Sequence, residues 1–121
     1  MQVRRIVPNL ATDDVERAKA FYRDLLGLTV VMDHGWIVTL AAKGATATPQ
    51  LSIASEGGSG TPVPDLSIEV DDLEAVHARL VASGLPVEYG PANEPWGVRR
   101  LFVRDPFGRL LNILSHVDGR A

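Results

Sequence analysis

The sequence predicts an α+β fold built from two tandem βαβββ modules, and three observations carry that prediction. Asp13-Asp14-Val15-Glu16 returns as Asp71-Asp72-Leu73-Glu74, and Gly27-Leu28-Thr29-Val30 returns as Gly84-Leu85-Pro86-Val87. Each copy also runs in the same order: an apolar segment, the Asp pair, a stretch of helical period, a glycine and a β-rich stretch. One unit is used twice.

The elements follow from local rules. In the first half, strands are expected at about Val3 to Leu10, Leu28 to Asp33, Trp36 to Ala42 and Gln50 to Ala54, where β-branched residues alternate with polar ones. His34-Gly35 supplies a turn. Val15, Ala18, Tyr22 and Leu25 recur at helical spacing, so a helix is expected from about Asp14 to Leu26, capped by Asp13 or Asp14 and stopped at Gly27. The second half repeats this with the stripe Leu73, Val76 and Leu80, stopped at Gly84. Its strands are expected at about Leu66 to Asp71, Val87 to Tyr89, Val98 to Arg104 and Leu110 to Ser115, with Asp105-Pro106-Phe107-Gly108 as the last hairpin turn.

Module one should cover about 1–54 and module two about 65–116 of a single 121-residue domain. Between them, Ser55 to Pro64 reads as a linker, flexible at its Gly-rich start and stiff at its Pro-rich end. It is either a plain surface loop or a hinge for module exchange between two chains.

Composition narrows the function. With 45% hydrophobic residues the chain can bury a real core, and a net charge of −3 with no long basic run argues against nucleic acid. The absence of cysteine excludes disulfides, thiol nucleophiles and thiolate-bound zinc. There is neither a signal-like segment nor a long apolar run, so no membrane partner is expected and the default compartment is the cytoplasm. No nucleophile elbow, phosphate loop or dinucleotide glycine fingerprint is present.

The string from Asp14 to Leu28, with its Phe21-Tyr22 and Leu26-Gly27, together with Asp105-Pro106-Phe107-Gly108-Arg109 and the duplicated unit, resembles the vicinal oxygen chelate superfamily of glyoxalases, bleomycin-resistance proteins and dioxygenases. The resemblance covers nearly the whole chain. It implies a curved mixed sheet around a cleft, and a homodimer. Pro95-Trp96-Gly97-Val98-Arg99 looks more like the bleomycin-resistance branch, although Trp96 could equally fill a gap between modules.

Metal-dependent relatives converge His or Glu from both modules on the concave face. Carried over residue by residue, the resemblance places Val7 and Asp65 at the first-strand positions, Asn112 at the last-strand position, and Gln50 or Ser52 at the remaining one. Only Asp65 is a good ligand, so no metal and no other cofactor is expected. His34 and His77 are expected to be solvated, and His116 to reach at most the cavity rim.

What remains is a binding surface. Asn9, Gln50, Ser52, Asp65, Ser67, Glu69 and Asn112 are expected on the concave face, with Trp36 and Trp96 as aromatic walls. Such a cavity suits a small-molecule ligand, amphiphilic, aromatic or cationic. The reading is a metal-free protein that binds a drug or metabolite. The alternative is an enzyme of the superfamily, a lyase, isomerase or dioxygenase, with displaced metal ligands or with Asp65 or Glu69 as a general base.

Overall fold

The computed structural model describes residues 1–43 and 48–117. In chain order its elements are β1 (Val3–Ala11), α1 (Val15–Leu26), β2 (Thr29–Asp33), β3 (Ile37–Ala41), β4 (Gln50–Ala54), β5 (Leu66–Val70), α2 (Leu73–Ala82), β6 (Val87–Asn93), β7 (Val98–Arg104) and β8 (Leu110–His116). This is βαβββ twice, an α+β fold as expected.

The helix starts obey the same rule in both copies. Asp14 caps α1 by accepting from the Arg17 N–H, and Asp72 caps α2 by accepting from the Ala75 N–H. At the end of α1, Gly27 turns left-handed at φ 70° and its N–H returns to the Arg23 carbonyl at 3.0 Å. α2 likewise stops at its expected glycine, where Ser83 is the right-handed cap and Gly84 follows at φ 69°.

The chain divides into two compact units, Val7–Val63 and, separately, Met1–Ile6 with the residues from Pro64 onward. In the first unit the strand order is β2-β3-β4-β1, with β1 parallel to β4 and the other neighbours antiparallel. In the second it is β6-β7-β8-β5, with β5 parallel to β8 and the others antiparallel. The two orders are the same. The N-terminal residues join the second unit through Gln2, whose carbonyl accepts from the Asp71 N–H while its own N–H reaches Asp71 Oδ1 at 2.7 Å.

Each unit has its own core on the helix-facing side of its sheet. Val15, Val38, Leu40 and Ile53 form one, with Ala18, Tyr22, Leu28, Val30 and Leu51 packed against it. Val70, Leu73, Leu101, Val103 and Ile113 form the other, joined by Val76 and Leu80 from α2. Full burial of a side chain such as Leu40 contributes about 1.5–3 kcal/mol. One member of the expected α1 stripe is not core, since Leu25 is 66% exposed. It sits in the last turn of α1.

β6 is longer than its sequence suggests. It continues past Tyr89 through Gly90 and Pro91 to Asn93, with register shifts on either side of Tyr89. Gly90 sits at φ 79°, and a Cβ there would lie 2.5 Å from the Arg100 carbonyl oxygen. Only glycine lets β6 come this close to β7.

Candidate functional site

Strand alternation decides which side chains share a face. In the second unit Leu101, Val103, Ile113 and Leu111 point to the α2 core. The residues between them therefore line the opposite face. There the register aligns Ser67 with Asn112 and Asn112 with Phe102, Glu69 with Leu114 and Leu114 with Arg100, and Val98 with His116. A sheet face holding Ser67, Glu69, Asn112, Arg100 and His116 is unusually polar for residues so enclosed, since Glu69, Arg100 and Asn112 are all buried.

Most of this polarity is satisfied internally. Asn112 Nδ2 donates to Ser67 Oγ at 3.1 Å. Glu69 is clasped from two sides: Arg5 Nε lies 3.2 Å from Oε1 and His116 Nδ1 lies 3.0 Å from Oε2. The side chains of Glu69 and His116 are 8% and 23% exposed, so the carboxylate is enclosed while the imidazole keeps an open flank. One atom stands apart. Asn112 Oδ1 is buried and has no hydrogen-bond partner among the described residues. Turning the amide over exchanges oxygen for nitrogen and still leaves one polar atom unmatched. An unmet buried polar atom costs about 1–3 kcal/mol.

Beside this group lies a charge held in aromatic surroundings. The Arg100 guanidinium is 5.0 Å from the ring centroid of Trp96, 5.3 Å from Tyr89 and 4.8 Å from Phe102. Glu94 neutralises it, with Arg100 Nε and its terminal nitrogen each 2.6 Å from Oε2, and Tyr89 donates its hydroxyl to the same carboxylate. The cation that sequence reasoning expects a ligand to bring to Trp96 is thus supplied by the chain itself.

The first unit carries a matching row. Asn9 aligns with Ser52 and Ser52 with Thr39, and the hydroxyls of Ser52 and Thr39 lie 2.7 Å apart, both buried. Leu51 and Ile53 point to the α1 core, so Gln50 and Ser52 share the opposite face. Trp36, just before β3, stacks on His34 with ring centroids 6.4 Å apart, and its carbonyl accepts from the Ser55 N–H.

The family's metal positions can now be tested as donors. Val7 aligns in sequence with Asp65, so Asn9 matches Ser67, and the register then makes Ser52 the counterpart of Asn112. Val7 is buried hydrocarbon, and the Ser52 hydroxyl is engaged with Thr39. The Asp65 carboxylate accepts from the Leu110 N–H at 2.9 Å, fastening the foot of β5 to the start of β8. Asn112 is a neutral amide. These four do not fit a divalent ion, which needs converging imidazole or carboxylate donors. Among the described residues no three His, Cys, Asp or Glu side chains gather to hold one.

Of the residues singled out in the sequence, the structure places Asp65, Ser67, Glu69, Trp96 and Asn112 in one unit, and Trp36 and Gln50 in the other. Ser67 and Asn112 are bonded to each other, whereas Asp65 is exposed and spent on the backbone. Sequence reasoning missed Arg5, Arg100 and Glu94. Arg100 had a signal, since in Val98-Arg99-Arg100-Leu101-Phe102 it shares parity with two apolar residues. Glu94 had none, because it follows a strand that the sequence hides.

A family model described as the glyoxalase/bleomycin resistance protein/dioxygenase superfamily matches residues 3–113. The chain belongs to that superfamily. Among solved structures it is similar to a superfamily member from Vibrio splendidus 12B01, at 21% identity over 96% of this chain and 100% of that one, with a TM-score of 0.65. A Streptomyces coelicolor methylmalonyl-CoA epimerase in complex with 2-nitronate-propionyl-CoA matches at 18% identity over 99% of both chains, with a TM-score of 0.72. A Legionella pneumophila structure described as NAD-dependent benzaldehyde dehydrogenase matches at 14% identity over 93% of this chain and 99% of that one, with a TM-score of 0.73. At such identities the likeness is one of fold, and the differing names underline that fold does not fix activity. No curated protein matches the chain. Among the described residues no helix is long and apolar enough to cross a membrane.

Proposed function

We propose that this chain binds a small organic molecule on the Ser67–Asn112–Glu69 face of its second unit, without a resident divalent metal. The observation that carries the reading is the buried Asn112 Oδ1, an acceptor to which the described residues give no N–H or O–H. The aromatic group around Arg100 gives the same face apolar area, which suits a ligand with an aromatic or aliphatic body. In this respect the chain would act as the bleomycin-resistance branch does, by sequestration in the cytoplasm and as a homodimer.

A second reading is an enzyme of the superfamily, and one observation favours it. A carboxylate holding a partly open imidazole is an arrangement suited to moving protons. A thermal-shift series with bleomycin, methylmalonyl-CoA and simple aromatic amines tests the binding site. At least one compound should raise Tm in the wild type and fail to do so in Asn112→Leu. No shift with any of them, or stoichiometric zinc, nickel, iron or manganese in protein purified without chelator, would overturn the metal-free binding site.

A further inference from the structure

We infer that two copies of this chain meet on the outer face of α1, helix against helix in antiparallel order. The inference rests on the homodimer of the preceding reading, assigns its contact surface, and is independent of the ligand face. Along α1, residues 17, 20, 21 and 24 fall at i, i+3, i+4 and i+7 and share one stripe, away from the inward Val15, Ala18 and Tyr22. That stripe reads Arg17, Ala20, Phe21 and Asp24. Phe21 is 54% exposed, and Leu25, one turn further along, is 66% exposed. Two large apolar side chains at i and i+4 make a patch, not a scatter.

The fold does not require that patch, and the second helix shows it. The capping residues Asp14 and Asp72 bring α1 and α2 into correspondence. The inward positions then agree, with Leu73, Val76 and Leu80 answering Val15, Ala18 and Tyr22. The outward ones do not: Ala75, Ala78, Arg79 and Ala82 stand where α1 has Arg17, Ala20, Phe21 and Asp24, and Ser83 stands in place of Leu25.

Charge says what covers the α1 face. Arg17 lies in the first turn and Asp24 in the last, each at the helix end that carries its own sign of partial charge. Asp24 pairs with its neighbour Arg23 at 3.0 Å, an exposed contact that contributes little. A second α1 laid antiparallel over the first, with the two-fold axis between Ala20 and Phe21, sets each Arg17 against the other copy's Asp24. Each Phe21 then meets the other copy's Ala20, whose small side chain lets the backbones approach. Both charges also come to lie beside the opposite pole of the neighbouring helix. One stripe supplies both halves of the match, as a two-fold contact demands. Two 12-residue helices bury little surface, so the pair should be weak and concentration-dependent.

Sedimentation equilibrium of the full chain over a concentration series should show a 13.1 kDa species giving way to one of twice that mass. Arg17→Glu leaves only acids at the two charged positions and Asp24→Arg leaves only bases. Each should weaken self-association at least about tenfold, and mixing the two proteins should restore it, because opposite signs meet again in both pairs. Neither change harms the isolated helix, since each puts the favoured sign at its end. Circular dichroism should show both proteins folded, which separates loss of the pair from loss of the fold. Phe21→Arg, which gives α1 the residue that α2 has at the matching place, should weaken association as well. A 13.1 kDa species at every concentration overturns the homodimer and this face together. A pair that survives all three single changes overturns the α1 face and leaves the homodimer standing. Charge variants that each lose self-association but fail to associate on mixing overturn the antiparallel match.

Discussion

The guanidinium of Arg100 and the carboxylate of Glu94 lie 2.6 Å apart with side chains only 3% and 4% exposed, so neither charge can fall back on water. Removing one partner strands the other. Glu94→Ala should therefore lower stability by about 3–5 kcal/mol, whereas the double change Glu94→Leu with Arg100→Met should recover much of the loss. Urea denaturation midpoints of the two proteins decide it, and equal losses would mean that the aromatic surroundings alone hold the charge.

Gly90 and Gly27 both have positive φ, yet they should respond differently to alanine. At Gly27 an added Cβ meets nothing within 4 Å, so Gly27→Ala should cost only the left-handed strain, about 1 kcal/mol. At Gly90 the Cβ would lie 2.5 Å from the Arg100 carbonyl and 2.9 Å from the Ala92 nitrogen, both backbone atoms. Gly90→Ala should cost several times more, with β6 and β7 forced apart. Thermal unfolding of the pair, side by side, tests the ordering.

These sites mark how far the sequence could be read. Capping aspartates, the helical stripes apart from Leu25, and the glycine after each helix are local signals, and the structure places them where local rules require. β6 was only half visible, because Gly90 and Pro91 break the alternation that identifies a strand. Ser67 with Asn112 was legible from parity. The Arg5–Glu69–His116 group was not, since it joins three strands far apart in sequence, and only their register brings those side chains together.

Asn112 should show a trade between stability and binding. Asn112→Leu removes the unmatched oxygen and the Ser67 bond together, so stability should change by less than about 1 kcal/mol or rise. Ligand-induced stabilisation should vanish in the same protein. Calorimetric scans with and without ligand measure both, and a loss of several kcal/mol in the free protein would show that the amide is structural.

Acid should loosen two turns. The Asp105 carboxyl is held below its ordinary value of 3.8, chiefly by the Arg109 backbone N–H and further by the Phe107 N–H and the Arg109 side chain. Asp33 is held below 3.8 as well, chiefly by the Gly35 N–H and then by Lys19. A carboxyl depressed on folding adds stability that is present above its unfolded value and is lost as pH falls through its folded value. Unfolding midpoints should thus drop below about pH 4, and Asp105→Asn with Asp33→Asn should flatten the drop. An unchanged slope in the double variant would assign the acid loss to other carboxyls.

The strand order shared by the two units has a consequence for how such a chain acquires new chemistry. Its cores lie on the helix side, where Leu40 and Leu101 leave no room for change. The row Asn9, Ser52 and Thr39 in one unit and the row Ser67, Asn112 and Phe102 in the other occupy matching places on the far side. A duplicated frame offers two copies of each such place, set on the face away from the helix-side cores. Retooling this molecule is then a matter of a few side chains away from those cores, each exchanged for one of like size because the row is itself largely buried.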